Sequence, residues 1–380
     1  MSYSFEALGL NPQLIAGLKM REILEPTDIQ REAIPLALAN QDLIGQSFTG
    51  SGKTLAYLLP LFQKTDCGKR ETQAIILAPT YELALQIDKE IKILRENSGI
   101  AMTSLPIIGN VNIARQIEKL RDKPHIIVGT GVRILELLKK RKINAQTIKT
   151  IVIDEGDRLL DSEHFNSVQD VIKSTMRDRQ IMVFSANMDE KALQAAHKIM
   201  KDIRMISLNQ KQLINPAITH WYFTVERREK LETLRKLVAA IQPTKAIVFL
   251  NSTEDVQVAT AKLQYHHYKA FGLFGKASKE ERKSALAGFR KWEIQLLVAS
   301  DIAARGLDIQ GLTHIFNLDL PKDAKEYLNR AGRTGRSGKA GIALSLVTEK
   351  EKHLIKKFEK EFNIIFEEKT LWKGSIRNSR

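Results

Sequence analysis

At 380 residues the chain exceeds the usual size of one hydrophobic core, so two domains are expected, and 43% apolar with 27% charged residues describes an ordinary globular composition. The balance of 59 Lys and Arg against 44 Asp and Glu leaves +15, which points to a polyanionic partner, nucleic acid above all. The single cysteine, Cys67, excludes an internal disulfide, and no uncharged apolar run approaches the ~18 residues of a membrane span. The N-terminal "MSYSFEALGL" lacks the basic-then-apolar pattern of a signal peptide, so a reducing, cytoplasmic setting is expected.

In chain order, β-rich runs alternate with longer segments of helical period. The first half carries "DLIGQS", "QAIILAPT", "TSLPII", "HIIVGT", "TIVID" and "QIMVFSA". The second carries "ITHWYFTV", "AIVFLN", "KAFGLF", "IQLLVAS", "THIFNLD" and "GIALSLV". These runs are near-continuously apolar rather than alternating, which indicates strands covered on both faces. Strand–helix alternation then predicts an α/β fold in which a mainly parallel sheet, flanked by helices, is built twice. A first domain is expected over residues 1–208 and a second over 217–365. Residues 209–216, inside the polar "SLNQKQLINPA", read as the linker between them. The final "EKTLWKGSIRNSR" carries four basic residues to one acidic, and 366–380 read as a short basic extension beyond the second sheet. Trp372 within it reads as packing on the core or lying in a mobile end, with base stacking as the alternative.

The stretch "GQSFTGSGKTLAYLLP" follows the first strand candidate and opens a helix, the context a phosphate-binding loop requires. Gly50 and Gly52 let backbone N–H groups point inward at phosphate oxygens. Lys53 supplies charge for the β and γ phosphates, and Thr54 a hydroxyl for Mg²⁺ at a helix start that favours anions. Ser47 stands where the general pattern has its first glycine. Further on, "TIVIDEGDRLL" packs Asp154, Glu155 and Asp157 behind a buried strand, and carboxylates so crowded call for a cation. Asp154 is placed to hold phosphate-bound Mg²⁺, largely through water, and Glu155 to deprotonate the attacking water. Asp157 is expected to orient the loop Ser185–Asn187. Together these groups describe a nucleotide hydrolase.

With these motifs the chain resembles the DEAD-box ATP-dependent RNA helicases of helicase superfamily 2, over roughly residues 5–347. "SFTGSGKT" matches the family's phosphate loop, Ser47, Phe48, Thr49, Gly50, Ser51, Gly52, Lys53 and Thr54, and "DEGD" its name-giving box, with glycine for alanine. "EPTDIQREAIP" resembles the adenine-reading segment, where Gln30 would bond the base and Phe5 would pack nearby. "PTYELA" and "GTGVR" resemble the RNA-backbone segments, and "SAN" the coupling segment. In the second half "IVFLNS", "SKEERKSALAGFR", "ASDIAARGLDI" and "NRAGRTGR" match the remaining motifs.

The resemblance implies two tandem RecA-like domains using ATP and Mg²⁺. Asp308 would meet the ribose, and Arg333 and Arg336 would be arginine fingers on the γ phosphate, a contribution of about 10³ to 10⁵ in rate. RNA would run over Pro79, Thr80, Gly109, Thr130, Arg133 and Ser300. Asp157, Ser185, Asn187, Asn329 and Arg330 would couple the domains. The implied enzyme is an RNA-dependent ATPase and nonprocessive helicase, the alternative being an ATP-gated RNA clamp. It would act as a monomer, with a ribosomal or ribonucleoprotein assembly as a further partner and no membrane. Several positions depart from the family pattern: Glu22-Ile23, Tyr81, Gly109-Asn110, Gly131-Val132, Asn187, "FGK" at 274–276, and Asn329. None removes a charge from the triphosphate site, so ATP hydrolysis is expected to persist, with RNA coupling the more affected property.

Overall fold

Strands that are apolar on both faces must be sandwiched between helices, and the computed structural model shows them so arranged. It describes residues 4–109, 111–208, 214–274, 279–304, 309, 311–335 and 340–379, without the side chains of 279–283, 290 and 302. The chain divides into two units, Met1–Gln210 and Lys211–Arg380.

In the first unit, seven strands form one sheet: β1 (Leu43–Gln46), β2 (Ala74–Leu77), β3 (Ser104–Ile107), β4 (Ile126–Gly129), β5 (Thr150–Asp154), β6 (Gln180–Ser185) and β7 (Arg204–Ser207). Their order is β3-β4-β2-β5-β6-β1-β7, with every pairing parallel. Successive residues face opposite sides. Ile76, Val128, Val152, Met182 and Phe184 join one buried cluster with Ile34, Tyr57 and Ile91 of the helices Asp28–Leu38, Lys53–Lys64 and Tyr81–Ser98. Ile75, Ile127, Ile151, Ile153 and Val183 join the other with Ile134, Val168 and Ala196 of the helices Gly131–Lys139, Phe165–Lys173 and Glu190–His197. Because the sheet is parallel, the strand C-termini share one edge, where ligands bind in such folds. The order divides that edge: β3, β4 and β2 on one side, β5, β6 and β1 on the other.

The second unit holds an eight-stranded sheet of order β10-β11-β9-β12-β13-β8-β14-β15. Its strands are β8 (Ile218–Thr224), β9 (Ala246–Leu250), β10 (Ala270–Leu273), β11 (Leu296–Ser300), β12 (His314–Asn317), β13 (Gly341–Val347), β14 (Phe366–Trp372) and β15 (Ser375–Asn378). Only β14–β15 is antiparallel. Val248, Val298 and Phe316 face one cluster, and Ile247, Phe249, Leu297 and Ile315 the other.

Two expectations about the chain's segments are corrected. Residues 366–378 do not run beyond the second sheet: β14 and β15 are the last two strands at one end of it. Phe366 pairs with His220 and its ring lies 5.3 Å from that of Tyr327, while Leu371 and Ile376 pack on the core. Lys373 and Gly374, at φ 47° and 78°, close this hairpin. Trp372 beside that turn is 57% exposed, not packed into the core. Of the expected linker, residues 209–213 lie outside the described residues. Ile214 is buried, and Asn215 bonds the Gly335 carbonyl and accepts from the Ala217 amide, so the second unit's packing begins there.

Candidate active site

Register decides which groups meet. Gln46 of β1 lies beside Ser185 of β6, and Phe184 beside Asp154 of β5, so the loop after β1 and the acids after β5 flank one strand end. Within the loop, Gly50 and Gly52 sit at φ 88° and 94°, left-handed geometry that glycine adopts without strain. A Cβ on Gly52 would also come 2.5 Å from Gln30 Nε2. Gln30 is buried: its Oε1 accepts from the Thr27 amide at 3.0 Å, completing a capping box, and its Nε2 donates to the Gly52 carbonyl at 3.1 Å. Its second amide proton is the one left for a base edge. Phe5, by contrast, is a core ring.

Lys53 opens the following helix, and its Nζ donates to the carbonyls of Ser47 at 2.6 Å and Phe48 at 2.8 Å. Ser47 is buried and its amide donates to the Ser185 carbonyl. The Ser51 hydroxyl is buried with no hydrogen-bond partner, a cost that an anion in the loop would remove. Phe48, Thr49 and Thr54 are half-buried around it.

The acids are built differently from one another. Asp154 is buried, with Oδ2 accepting from the Tyr57 phenol at 2.8 Å and Oδ1 from the Glu155 amide at 2.9 Å. Burial, with Glu155 alongside, pushes its carboxyl up to about 6, against the opposing pull of Tyr57 and Lys53. Burial and Asp154 in turn raise Tyr57 well above its ordinary value, so the phenol remains a donor. A buried carboxylate with a hydroxyl nearby is an oxygen donor set of the kind Mg²⁺ takes. Glu155 has left-handed backbone, φ 53° and ψ 53°, a strain of order 1–3 kcal/mol for a non-glycine residue. Its Oε2 is buried without a hydrogen bond, 3.3 Å from Arg158 Nη1. Asp157 meets the next segment: Ser185 Oγ donates to Asp157 Oδ1 at 2.5 Å and accepts from the Asp157 amide at 3.2 Å and the Asn187 amide at 3.3 Å.

The other half of the edge gathers the expected RNA residues. Gly129 of β4 pairs with Leu77 of β2 and Ile107 of β3, which brings the segments after all three strands together. Pro79 leads into Thr80, whose hydroxyl caps the helix Tyr81–Ser98 by accepting from the Leu83 amide at 3.2 Å. Thr130 stands at the N-cap of the helix Gly131–Lys139, so a helix starts after each of the neighbouring strands β2 and β4 at this sheet edge, and helix starts favour phosphate. Arg133 donates to the carbonyls of Gly109 at 2.7 Å and Val111 at 3.2 Å and to Glu136 at 2.8 Å. It braces the Gly109 segment. Tyr81 packs on the core, whereas Val132 is 70% exposed.

In the second unit, Arg330 is 1% exposed. It donates to both Asp301 oxygens (2.7 and 2.5 Å), Asn317 (3.3 Å), the Asp319 carbonyl (2.6 Å) and Asn251 (2.9 Å). All five of its N–H groups are thus used inside its own unit, where it ties together the motif segments at 251, 301 and 330. Ser300 is buried at the end of β11, and Asn329 and Arg333 are half-buried. Asp308 and Arg336 lie outside the described residues. Two neighbours of the acids were not singled out from sequence. Tyr57 follows Lys53 by one helical turn, a spacing that shares a face. Arg158 follows Glu155 by three.

The comparisons agree with this geometry. Residues 27–196 match the DEAD/DEAH box helicase family model, and 229–338 the helicase conserved C-terminal domain. The chain is 41% identical to the DEAD-box ATP-dependent RNA helicase CshC of Bacillus cereus, over 93% of this chain and 90% of that protein. To CshA of Bacillus subtilis it is 35% identical, over 94% and 72%. The structure is similar to that of Saccharomyces cerevisiae Dbp5 bound to RNA and ADP BeF3, with TM-score 0.86, 29% identity and coverage of 96% and 95%. The two sheets with their flanking helices are accordingly tandem RecA-like domains. From the matched family models and the full-length relatives, the chain belongs to the DEAD-box ATP-dependent RNA helicases.

Proposed function

We propose that this protein is an RNA-dependent ATPase that opens or remodels short RNA duplexes locally, without long-distance translocation. The observation that carries the reading is the division of one sheet edge, with nucleotide-type groups after β5, β6 and β1 and RNA-type groups after β2, β4 and β3. Lys53 and the loop amides bind the β and γ phosphates, and Gln30 reads the base. Thr54 and Asp154 hold Mg²⁺, largely through water, and the ion neutralises phosphate charge. Glu155, with an oxygen that accepts no hydrogen bond, takes the proton of the attacking water, a role worth about 10² to 10⁴ in rate. Arg158, whose Nη1 lies 3.3 Å from that oxygen, keeps the carboxylate aimed. Asp308 meets the ribose, and Arg333 and Arg336 supply guanidinium charge to the γ phosphate.

RNA is held by its backbone at Pro79, Thr80, Gly109, Thr130, Arg133 and Ser300, and Arg133 also braces the Gly109 segment. Binding is therefore tolerant of sequence and weakened by salt, and contacts to 2′-hydroxyls select RNA over DNA. The protein acts as a cytoplasmic monomer on RNA or a ribonucleoprotein; among the described residues no helix is long and apolar enough to cross a membrane. A second reading, an ATP-gated clamp with weak unwinding, draws on Val132, an apolar side chain exposed at the RNA-side helix start. Steady-state ATPase and separation of a short RNA duplex, measured on one preparation, decide between them. Turnover and separation that both rise with RNA support the helicase. Turnover without separation supports the clamp, and ATPase indifferent to RNA removes both.

A further inference from the structure

We propose that Tyr57 is a positioning residue for ATP hydrolysis, its phenol fixing the Asp154 carboxylate in the register a divalent cation needs. This rests on the proposed role of Asp154.

The local fold makes the arrangement unavoidable. The helix Lys53–Lys64 places Tyr57 one turn beyond Lys53 and Thr54, on the side facing β5 and β6. Its ring is fully buried, 5.3 Å from that of Phe184 on β6. The hydroxyl reaches across 97 residues of sequence to Asp154 Oδ2 at 2.8 Å. Since Oδ1 already accepts the Glu155 amide, both carboxylate oxygens are engaged, and rotation of the group is blocked.

Packing alone does not call for that oxygen. Phenylalanine would fill the same space against Phe184, and a buried hydroxyl is costly unless it is bonded. What the hydroxyl adds is orientation of a group that would otherwise turn freely in a buried site. Outer partners of metal-binding side chains act in this way, and their loss typically costs 10–100-fold in metal affinity or activity.

The test is Tyr57→Phe, with Asp154→Asn as its reference. A fluorescent ATP analogue is titrated onto each variant at a series of Mg²⁺ concentrations and again in EDTA, and thermal unfolding is followed alongside. The expected result for Tyr57→Phe is about a tenfold rise in the Mg²⁺ concentration at half-maximal binding, at the low end of the range above. Affinity in EDTA stays close to wild type, which separates the Mg²⁺ effect from the lowered unfolding midpoint that loss of a buried hydrogen bond brings by itself. If Asp154→Asn shifts the Mg²⁺ dependence and Tyr57→Phe does not, Tyr57 is a core residue and the proposal is overturned. If neither shifts it, the assignment of Asp154 to the ion is what fails, and the role of Tyr57 falls with it.

Discussion

Replacing Gly156 with alanine sets two effects of opposite sign against each other. Gly156 opens the short helix Gly156–Leu159, where alanine is intrinsically favoured by about 0.8–1 kcal/mol. The surroundings oppose it. A Cβ at this position would lie 2.4 Å from Val183 Cγ1, far inside van der Waals contact, and Val183 is fully buried in β6. Overpacking of this kind costs about 1–3 kcal/mol, so the clash outweighs the propensity and Gly156→Ala destabilises the first unit by about 1 kcal/mol. In a unit of this size that is about 2–4 °C in Tm. Val183→Ala removes the obstructing methyl and costs about 2 kcal/mol alone. In the Gly156→Ala background it should cost at least about 1 kcal/mol less, a coupling that urea unfolding of the four proteins in the cycle measures directly. A Gly156→Ala protein more stable than wild type, or strict additivity with Val183→Ala, would refute the reasoning. The glycine that departs from the family's alanine would then need a different explanation.

Two further outcomes concern the second unit. Arg330→Met leaves half-buried Asp301 unpaired and takes the donor from Asn251, Asn317 and the Asp319 carbonyl, so we expect a loss of about 3 kcal/mol in unfolding free energy, partly restored by adding Asp301→Asn. An effect confined to ATPase, with stability unchanged, would contradict the internal role described for Arg330. His220 Nδ1 shares a hydrogen bond with the Tyr327 phenol at 2.6 Å, and burial pulls its pKa from 6.5 down to about 4. The unfolded chain therefore takes up the proton first. The contribution is intact above about pH 6.5 and fades as pH falls to about 4, by about 3 kcal/mol in all at 1.36 kcal/mol per unit. His220→Leu should flatten that acid slope in urea titrations at pH 7 and 4.5, and a slope equal to wild type would dismiss it.

Most strands of both sheets were legible because β1, β2, β4, β5, β6, β9 and β11 are buried throughout and mostly apolar, bounded by turn residues. The strands that escaped lie at one end of each sheet. In β7, Arg204 and Met205 are exposed, so no continuous apolar run marks it. The hairpin of β14 and β15 was hidden by its charge, although Lys373-Gly374 between "TLW" and "SIR" is a turn signal with alternation on both sides. The nucleotide residues were readable because phosphate chemistry dictates residue type at fixed spacing. Tyr57 was not, since it serves through a contact between segments 97 residues apart. Arg330 shows the converse: inside a strong motif it reads as a domain-coupling residue, and its five bonds within the second unit reveal a brace that spacing does not show.

The most direct test of the central claim is steady-state ATPase of wild type and Glu155→Gln, each with and without a mixed RNA. The account predicts turnover that rises with RNA in the wild type and falls by about 10² or more in the variant, with nucleotide binding retained. A Glu155→Gln protein that still hydrolyses ATP at close to the wild-type rate would contradict it.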